Sequence, residues 1–425
     1  MAARWRKKCH PEIVLTKIEK VASINSDGRL QFAGFDYFEL EPQLHGMIDH
    51  DENYSFQTKK QLRDRAIFAC LEEGTLSKEL FIKKLNREIS LFKNKKDYSY
   101  TILTSFSISE NFPLKRIKFD NSTFISYPSG LPKKYSSRSA HNPRWEQLFK
   151  DHPSLPENYT PVAIKVSAKN PSDAVDQALN NIDFIRAIIA INVNPGASFS
   201  ISFGGQSYQP INKVMLGGMH TLHNPRGELV SKHNFWYEPN YQPITPAQIT
   251  KKKKVAIQSS IKWIMSSLDL YPKEDSSLLK QSLVRYVRAI DERDRNTIIQ
   301  KLWSTLESLL AKGESNCDSI VRRCSFLFKD RDYIKQTLEN IREYRNRSVH
   351  SGLTEEGVDS YCYNLQRFFR ALIQFYLASA EKFDSLDEAN KFLDLPYSVA
   401  DINEQEDLAK RHLHLLSEAK KFRLG

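Results

Sequence analysis

Ile341-Arg-Glu-Tyr-Arg-Asn-Arg-Ser-Val-His-Ser-Gly352 is the stretch that decides the C-terminal fold, because it closes a predicted amphipathic helix and ends in a glycine, a common helix stop. Asn346 and His350 are four residues apart, so a helix places them on one face. Arg345 and His350 are five residues apart and diverge on an ideal helix. They can converge only if the helix loosens near Ser348, or if a second chain completes the site.

These residue types suit the cleavage of RNA. A histidine titrates near neutral pH and can move a proton. An arginine can hold a phosphate and stabilise the charge that grows on it. An asparagine can orient either partner. Because the 2′-hydroxyl of RNA is itself the nucleophile, the pattern predicts cleavage without a metal ion, and no cofactor is predicted.

The spacing of an arginine and a histidine alone is a weak signal. It recurs at Arg4 to His10, beside a proline, and at Arg226 to His233, in a predicted turn and strand. Only Arg345 to His350 combines an Arg-Asn pair with a preceding helix and a following glycine. The alternative is a solvated helix end whose cations face the negative end of the helix dipole.

The segment from Arg345 to His350, Arg-Asn-Arg-Ser-Val-His, resembles the Arg-Asn-x-x-x-His motif of HEPN domains. Upstream, Leu302-Trp-Ser-Thr-Leu-Glu-Ser-Leu-Leu310 resembles the ApeA-like branch of that superfamily. The resemblance covers about residues 254–380. It implies an all-helical domain, a homodimer that brings two motifs face to face, and metal-independent endoribonuclease activity that leaves a 2′,3′-cyclic phosphate. Many members act in phage defence, abortive infection or toxin systems.

The resemblance also assigns roles to residues. Arg345 and His350 match the catalytic pair, and Asn346 matches the polar residue after the arginine. Glu307 matches an acidic position on an earlier helix loosely, and an exposed helix glutamate is the alternative. Transfer RNA is a target suggested by the biology of the family, together with a phage-derived trigger or an antitoxin as a partner. A non-catalytic module that binds RNA or nucleotide, or that dimerises, is the second hypothesis.

Basic side chains outside the motif supply candidate RNA contacts. Arg342 and Arg347 flank the catalytic residues, and Lys251 and Lys252 begin a run of four lysines. A solvated helix start is the alternative for the lysine run. The net charge of +11 favours polyanionic partners.

Composition indicates an ordinary cytoplasmic protein. The chain has 425 residues, of which 40% are hydrophobic and 27% charged. The longest apolar run, residues 184–193, is interrupted by Arg186, so no membrane span is expected, and the basic N-terminus lacks the apolar segment of a signal peptide. Five cysteines without CxxC spacing, three of them in apolar helical patterns, favour a reducing compartment.

The predicted fold class is α+β. Residues 1–245 are expected to form a mixed sheet-and-helix sensor or regulatory region, with a break near 128–160, and residues 251–425 an all-helical domain with a helical tail. In the first region we expect a hairpin of strands 12–25 and 30–40 around Ser26-Asp-Gly28. The other strands and helices predicted there are strands 98–109, 114–127, 161–168, 197–203 and 228–237, and helices 59–72, 77–92, 143–150 and 172–192.

The second region is predicted to be almost wholly helical. Apolar residues recur at helical spacing in segments 255–270, 276–291, 296–311, 317–328, 334–348, 357–383, 386–393 and 403–422. The breaks between them are short, so neighbouring helices should pack antiparallel.

One histidine-rich cluster suggests a third hypothesis, a metal-dependent hydrolase. His45, Asp49, His50, Asp51 and Glu52 carry ligand chemistry without a defined spacing, and a polar loop is the preferred interpretation. His220 and His223, with His233 further on, form an HxxH in a glycine-rich stretch, for which zinc is not expected. No metal site is therefore predicted.

Overall fold

The computed structural model describes residues 3–50, 54–150, 152–156, 158–194, 196, 210–238, 241, 243–313, 318–351 and 357–424, with the backbone alone for residues 349–351. Over this range the α+β fold class is confirmed. The strands are β1 (Arg4–Trp5), β2 (Ala22–Ile24), β3 (Leu30–Phe32), β4 (Ile48–Asp49), β5 (Tyr98–Phe106), β6 (Ile108–Glu110), β7 (Arg116–Phe119), β8 (Ser122–Ser126), β9 (Thr160–Ala168), β10 (Met219–His223), β11 (Trp236–Tyr237) and β12 (Ala247–Gln248). The α-helices are α1 (Pro11–Val21), α2 (Asp36–Gly46), α3 (Phe56–Leu71), α4 (Lys78–Lys93), α5 (Asn142–Leu148), α6 (Pro171–Val193), α7 (Lys251–Leu270), α8 (Lys273–Ile290), α9 (Arg295–Leu310), α10 (Asp318–Phe326), α11 (Arg331–Ser351), α12 (Val358–Ala378), α13 (Leu386–Leu393) and α14 (Val399–Leu424).

The first hairpin forms at the predicted turn but is much shorter than predicted. Gly28 adopts a left-handed φ of 70°, and the Asn25 side chain accepts the backbone N–H of Arg29 at 2.9 Å. The predicted strands over 12–25 and 30–40 are wrong for most of their length, because α1 precedes β2 and α2 follows β3. In α1 the buried Val14, Leu15 and Ile18 follow helical rather than alternating spacing.

The predicted helices α3 and α4 are confirmed, and their start signals explain them. The Ser55 and Ser77 side chains accept backbone N–H groups two or three residues into the helices, as helix caps do. With α1 and α2, these helices enclose a separate core that includes Leu62, Phe81 and Leu85. The described residues between 3 and 92 therefore form a small, largely helical unit with its own core, which Ser55 and Thr58 join to α6 by hydrogen bonds to Asp173.

A six-stranded antiparallel sheet follows, in the order β11-β10-β5-β9-β8-β7. The structure confirms the predicted strand 161–168 and the helices α5 and α6. It divides each of the predicted strands 98–109 and 114–127 into two, β5 with β6 and β7 with β8. The segment before α5, Lys133–His141, is a 3₁₀ helix. The predicted strand 228–237 is wrong except at β11, and β10 was not predicted. The predicted strand 197–203 lies outside the described residues.

The described elements after residue 251 are all helical, as predicted. The main core continues across this point: Ile164 of the sheet, Ile185 of α6, Ile257 of α7 and Leu302 of α9 belong to one buried cluster. The sheet and the helical region are therefore packed through a shared core, and the division into domains at 245–251 stays a prediction.

Buried charges reinforce that junction. The Arg186 side chain of α6 is 1% exposed and donates to Asp183 at 2.7 Å and to Asp291, just after α8, at 2.7 Å. It also donates to the backbone carbonyl of Val214 at 3.2 Å. Burial alone would lower the pKa of Arg186, but the two carboxylates raise it, so the guanidinium stays charged.

Candidate functional site

Helix α11 carries the predicted motif and remains helical through Ser351. Of the two conditions for convergence, loosening near Ser348 is not met, and the Ser348 hydroxyl donates to the Arg345 carbonyl at 3.0 Å within the helix. A helix turns by about 100° per residue, so the backbone positions of residues 345 and 350 lie about 140° apart around the axis. The His350 side chain and Gly352 lie outside the described residues. The backbone of α11 therefore shows no local bend that would bring the two positions onto one face.

The Arg345 guanidinium has unused hydrogen-bonding capacity. The residue is half-buried, and its Nε is buried without a partner among the described residues. An unpaired buried donor costs about 1–3 kcal/mol and requires an explanation, and the Nε atoms of Arg63, Arg331 and Arg370 are in the same situation. A phosphate oxygen is a suitable acceptor for this donor.

Neighbouring side chains fix the end of α11. The Tyr344 hydroxyl donates to the Asn296 side-chain oxygen at 2.6 Å, which joins this end to the start of α9. The rings of Tyr344 and Tyr361 are 5.3 Å apart, which joins it to the start of α12. Arg295 at the start of α9 pairs with Asp359 at the start of α12. Arg345 therefore extends from a helix end that is held by two neighbouring helices.

The other residues of the motif region face solvent to different extents. Asn346 and Arg347 are exposed on the last turns of α11. Arg342 lies one turn earlier and pairs with Asp318 and with Glu339, both at 2.7 Å. Arg342 would have to exchange these carboxylates for a phosphate in order to bind RNA.

Helices α7, α9 and α12 start at the same end of the helical region. The Tyr271 hydroxyl, just after α7, donates to the Tyr376 carbonyl at 2.8 Å, and the Tyr376 hydroxyl near the end of α12 donates to the Leu309 carbonyl at 3.3 Å. Their C-terminal ends are therefore together. The Cys362 thiol lies 3.7 Å from the Arg295 carbonyl, which brings the starts of α12 and α9 together as well.

This arrangement puts Lys251 and Lys252, which start α7, at the same end as Arg345. Both lysines are exposed, and the first turn of α7 contains no acidic residue. Cations at a helix N-terminus are disfavoured by the helix dipole by about 0.3–1 kcal/mol each. A bound polyanion would offset that cost.

Glu307 is not brought to this end within one chain. It is half-buried on α9 and lies eleven residues after Asn296, which Tyr344 contacts. Eleven residues of helix span about 16 Å, so the carboxylate is remote from Arg345 in the same chain.

The alternative metal clusters are occupied by protein contacts. His45 lies 2.9 Å from an Arg63 nitrogen, and Asp49 pairs with Arg4 at 2.9 Å, whereas Asp51 and Glu52 lie outside the described residues. Burial and the nearby charge of Arg63 lower the pKa of His45. Across the described residues, no group of three or more potential ligands could hold a metal ion.

His220 and His223 are buried structural residues of β10. His220 contacts the Thr104 hydroxyl at 2.9 Å and the Glu238 carboxylate at 3.0 Å. His223 contacts the Thr221 hydroxyl and the Gly227 carbonyl, both at 2.9 Å, and burial lowers its pKa to about 4. Their ring nitrogens are therefore engaged in holding the sheet edge.

Sequence reasoning found the arginines of α11 but missed what holds them. Tyr344 was visible only as an apolar position of an amphipathic helix, and Asn296 as a helix start. Their hydrogen bond joins residues 48 positions apart, so no local sequence pattern predicts it.

The comparisons with known proteins yield no relative. No family model matches this chain, and no match is found among the curated proteins or the solved structures. Among the described helices, none is both long enough and apolar enough to cross a membrane. The fold and the site alone define the class of this protein, which is an α+β protein with a helical C-terminal region and a cationic helix end.

Proposed function

We propose that this protein is a metal-independent endoribonuclease of the HEPN type, whose active site is built from Arg345, Asn346 and His350. The observation that carries the proposal is the Arg345 guanidinium at the end of α11, with a buried Nε that no described group satisfies. The sequence motif is the second support, because it places His350 five residues after Arg345.

The proposed reaction is an internal transesterification. The RNA 2′-oxygen forms a bond to phosphorus as the bond from phosphorus to the 5′-oxygen breaks. One imidazole takes the 2′-hydroxyl proton, and one general acid returns a proton to the departing 5′-oxygen. The products are a 2′,3′-cyclic phosphate and a 5′-hydroxyl end. His350 is assigned the proton transfers, and Arg345 stabilises the charge on the phosphorane oxygens.

Two copies of the chain fit this chemistry better than one. Positions 345 and 350 lie about 140° apart around the axis of the continuous helix, which favours a site in which two copies of α11 contribute to one phosphate. Two helix ends placed face to face supply two imidazoles and two guanidiniums to a shared cleft. The N-terminal region is assigned a role in sensing a trigger or restraining the nuclease.

The substrate of this proposal is single-stranded or looped RNA, because an intact duplex restricts the in-line geometry of the attack. Lys251 and Lys252 lie at the same end as Arg345 and would bind flanking phosphates. Transfer RNA, and a role in phage defence, are suggested by the resemblance of the motif to HEPN domains.

The test compares Arg345→Ala and His350→Ala with Arg285→Ala, which removes an exposed arginine in the middle of α8. Each purified chain is incubated with total transfer RNA, and 2′,3′-cyclic phosphate ends are mapped. The wild type and Arg285→Ala should cut at the same sites with or without a metal chelator, whereas the other two should lose at least about 100-fold in rate. Cleavage that persists in both motif variants would refute the proposal.

A non-catalytic phosphate-binding role is the second candidate, and the same unsatisfied Nε favours it. In that case the wild type binds RNA without forming product over long incubation. Arg345→Ala then lowers the affinity, and His350→Ala leaves it unchanged.

A further inference from the structure

Helix α14 leaves all of its described side chains in solvent. None of its residues, Val399–Leu424, is buried. Its large apolar side chains include Phe422 at 81%, Leu424 at 78% and Val399 at 71% exposure. A helix of this length extends about 39 Å, and an exposed apolar surface of that size marks an interaction site.

The apolar residues of α14 follow the spacing of a helix that pairs with another helix. Leu408, Leu415 and Phe422 recur every seven residues. Ala419, four residues after Leu415 and three before Phe422, lies on the same side of the helix, whereas Ile402, Ala409 and Leu416 form a second series about 100° further around it. Seven-residue repeats keep apolar side chains on one seam between two helices.

The charges of α14 are divided between its two halves. Residues 399–409 contain four acidic and no basic residues, whereas residues 410–424 contain five basic residues and one acidic residue. This division suits the helix dipole, and Lys410 pairs with Glu406 within the helix at 3.0 Å. The dipole and the internal pairs account for the charges but leave the apolar side chains uncovered.

We propose that α14 binds the α14 helix of a second copy of this chain in an antiparallel pair. In that orientation the acidic half of each helix faces the basic half of the other, and the apolar repeats meet between them. A parallel pair would place like charges together, which is unfavourable. A self-complementary surface of this kind defines a two-fold symmetric dimer.

The pairing helix is separate from the proposed active site. Tyr397 precedes α14, and its hydroxyl donates to the Lys329 carbonyl at 2.9 Å, close to the start of α11. Arg345 lies fourteen residues after Arg331, the first residue of α11, which is about 21 Å along the helix. The inference therefore does not rest on the proposed function.

Cysteine cross-linking tests the orientation directly. Glu404→Cys and Ala419→Cys are made in separate full-length chains in which Cys9 and Cys317 are replaced by serine. The two positions are fifteen residues apart, about 22 Å along the helix. In an antiparallel pair whose midpoints coincide, position 404 of one chain faces position 419 of the other. Mild oxidation of the mixture should give a disulfide-linked dimer, while each chain alone stays monomeric on a denaturing gel. No product in the mixture, or efficient self-linking of either chain, would overturn the proposal.

Charge exchange provides a second test that keeps the helix intact. One variant carries D401K, E406K and D407K, which leaves position 404 available for the cysteine, and the other carries K410E, R411E, K420E and K421E. Introduced into the cysteine chains, either set alone should reduce the yield of linked dimer by at least about tenfold, because like charges then face each other. Mixing an all-basic chain with an all-acidic chain should restore it. Equal yields in all combinations would contradict the charge-matched pair.

Discussion

Replacing Arg186 with methionine should destabilise the junction between the sheet and the helical region. Arg186 is 1% exposed and lies between the carboxylates of Asp183 and Asp291, at 2.7 Å from each. Its removal leaves the buried carboxylate of Asp183 and the partly buried carboxylate of Asp291 without their shared cation. The partly exposed Arg288, 2.5 Å from Asp183, still compensates one of them.

The expected loss follows from what is left behind. Breaking a buried ion pair by removing one partner costs about 3–5 kcal/mol, because the remaining charge stays desolvated. The Val214 carbonyl also loses a hydrogen bond of 3.2 Å, although methionine retains part of the packing volume. We therefore expect the unfolding free energy of the junction to fall by about 4 kcal/mol.

Urea unfolding followed by circular dichroism and tryptophan fluorescence measures this change. Arg285→Met is the matched control, since it makes the same replacement at an exposed site of α8 and should change stability by less than about 0.5 kcal/mol. Adding Asp183→Asn and Asp291→Asn to Arg186→Met should recover part of the loss, because no buried charge then remains unpaired. A cost below about 1 kcal/mol for Arg186→Met would refute the reasoning.

Three further predictions concern single regions. Lys251→Glu with Lys252→Glu should weaken RNA binding and reduce the slope of log K against log salt concentration by about 2, which binding titrations at several salt concentrations measure. The same change should stabilise the start of α7 by about 0.3–1 kcal/mol per residue, which thermal unfolding measures. His223 has a pKa of about 4 in the folded protein against 6.5 when exposed. It therefore contributes stability on the order of 3 kcal/mol above pH 6.5, which is lost as the pH falls towards 4. His223→Asn should flatten the pH dependence of urea unfolding. Gly218→Ala should destabilise the sheet edge by about 1–3 kcal/mol, because the added Cβ would lie 2.3 Å from Trp145 and 2.5 Å from Tyr241; thermal unfolding measures it.

Each of these predictions has an outcome that would count against it. Unchanged RNA affinity in the lysine variant would remove the end of α7 from the binding surface. An undiminished pH slope in His223→Asn would assign the acid sensitivity to other groups. Wild-type stability in Gly218→Ala would show that Trp145 moves aside at no cost.

Local signals in the sequence predicted many elements well. Ser77 before a leucine-rich amphipathic segment predicted α4, and the Asp-Gly pair predicted the first turn. The same reasoning failed in α1, where β-branched residues such as Val14 favour a strand by propensity. Burial of one helical face against α4 and its neighbours outweighs that propensity, and propensity alone cannot anticipate it.

Part of the candidate site was also visible in advance. Arg345 and Asn346 were identified from the motif, and the divergence of Arg345 from His350 followed from helix geometry. The buried Nε of Arg345 and the contact between Tyr344 and Asn296 were not foreseeable, because both depend on helices distant in sequence.

The sequence by itself predicted α3 to α6 and the helices after residue 251, the apolar face of each, and how charge is divided along α14. These properties depend on residues within one or two turns of each other, so spacing and capping specify them. Only the tertiary structure decided that β10 pairs with β5 and that Arg186 binds Asp291, which lies 105 positions further along the chain. It also decided that the lysines of α7 lie at the same end as Arg345. Such contacts are selected by the packing of the whole core, because many alternative pairings satisfy the same local pattern and only one buries the apolar surface with its polar groups paired.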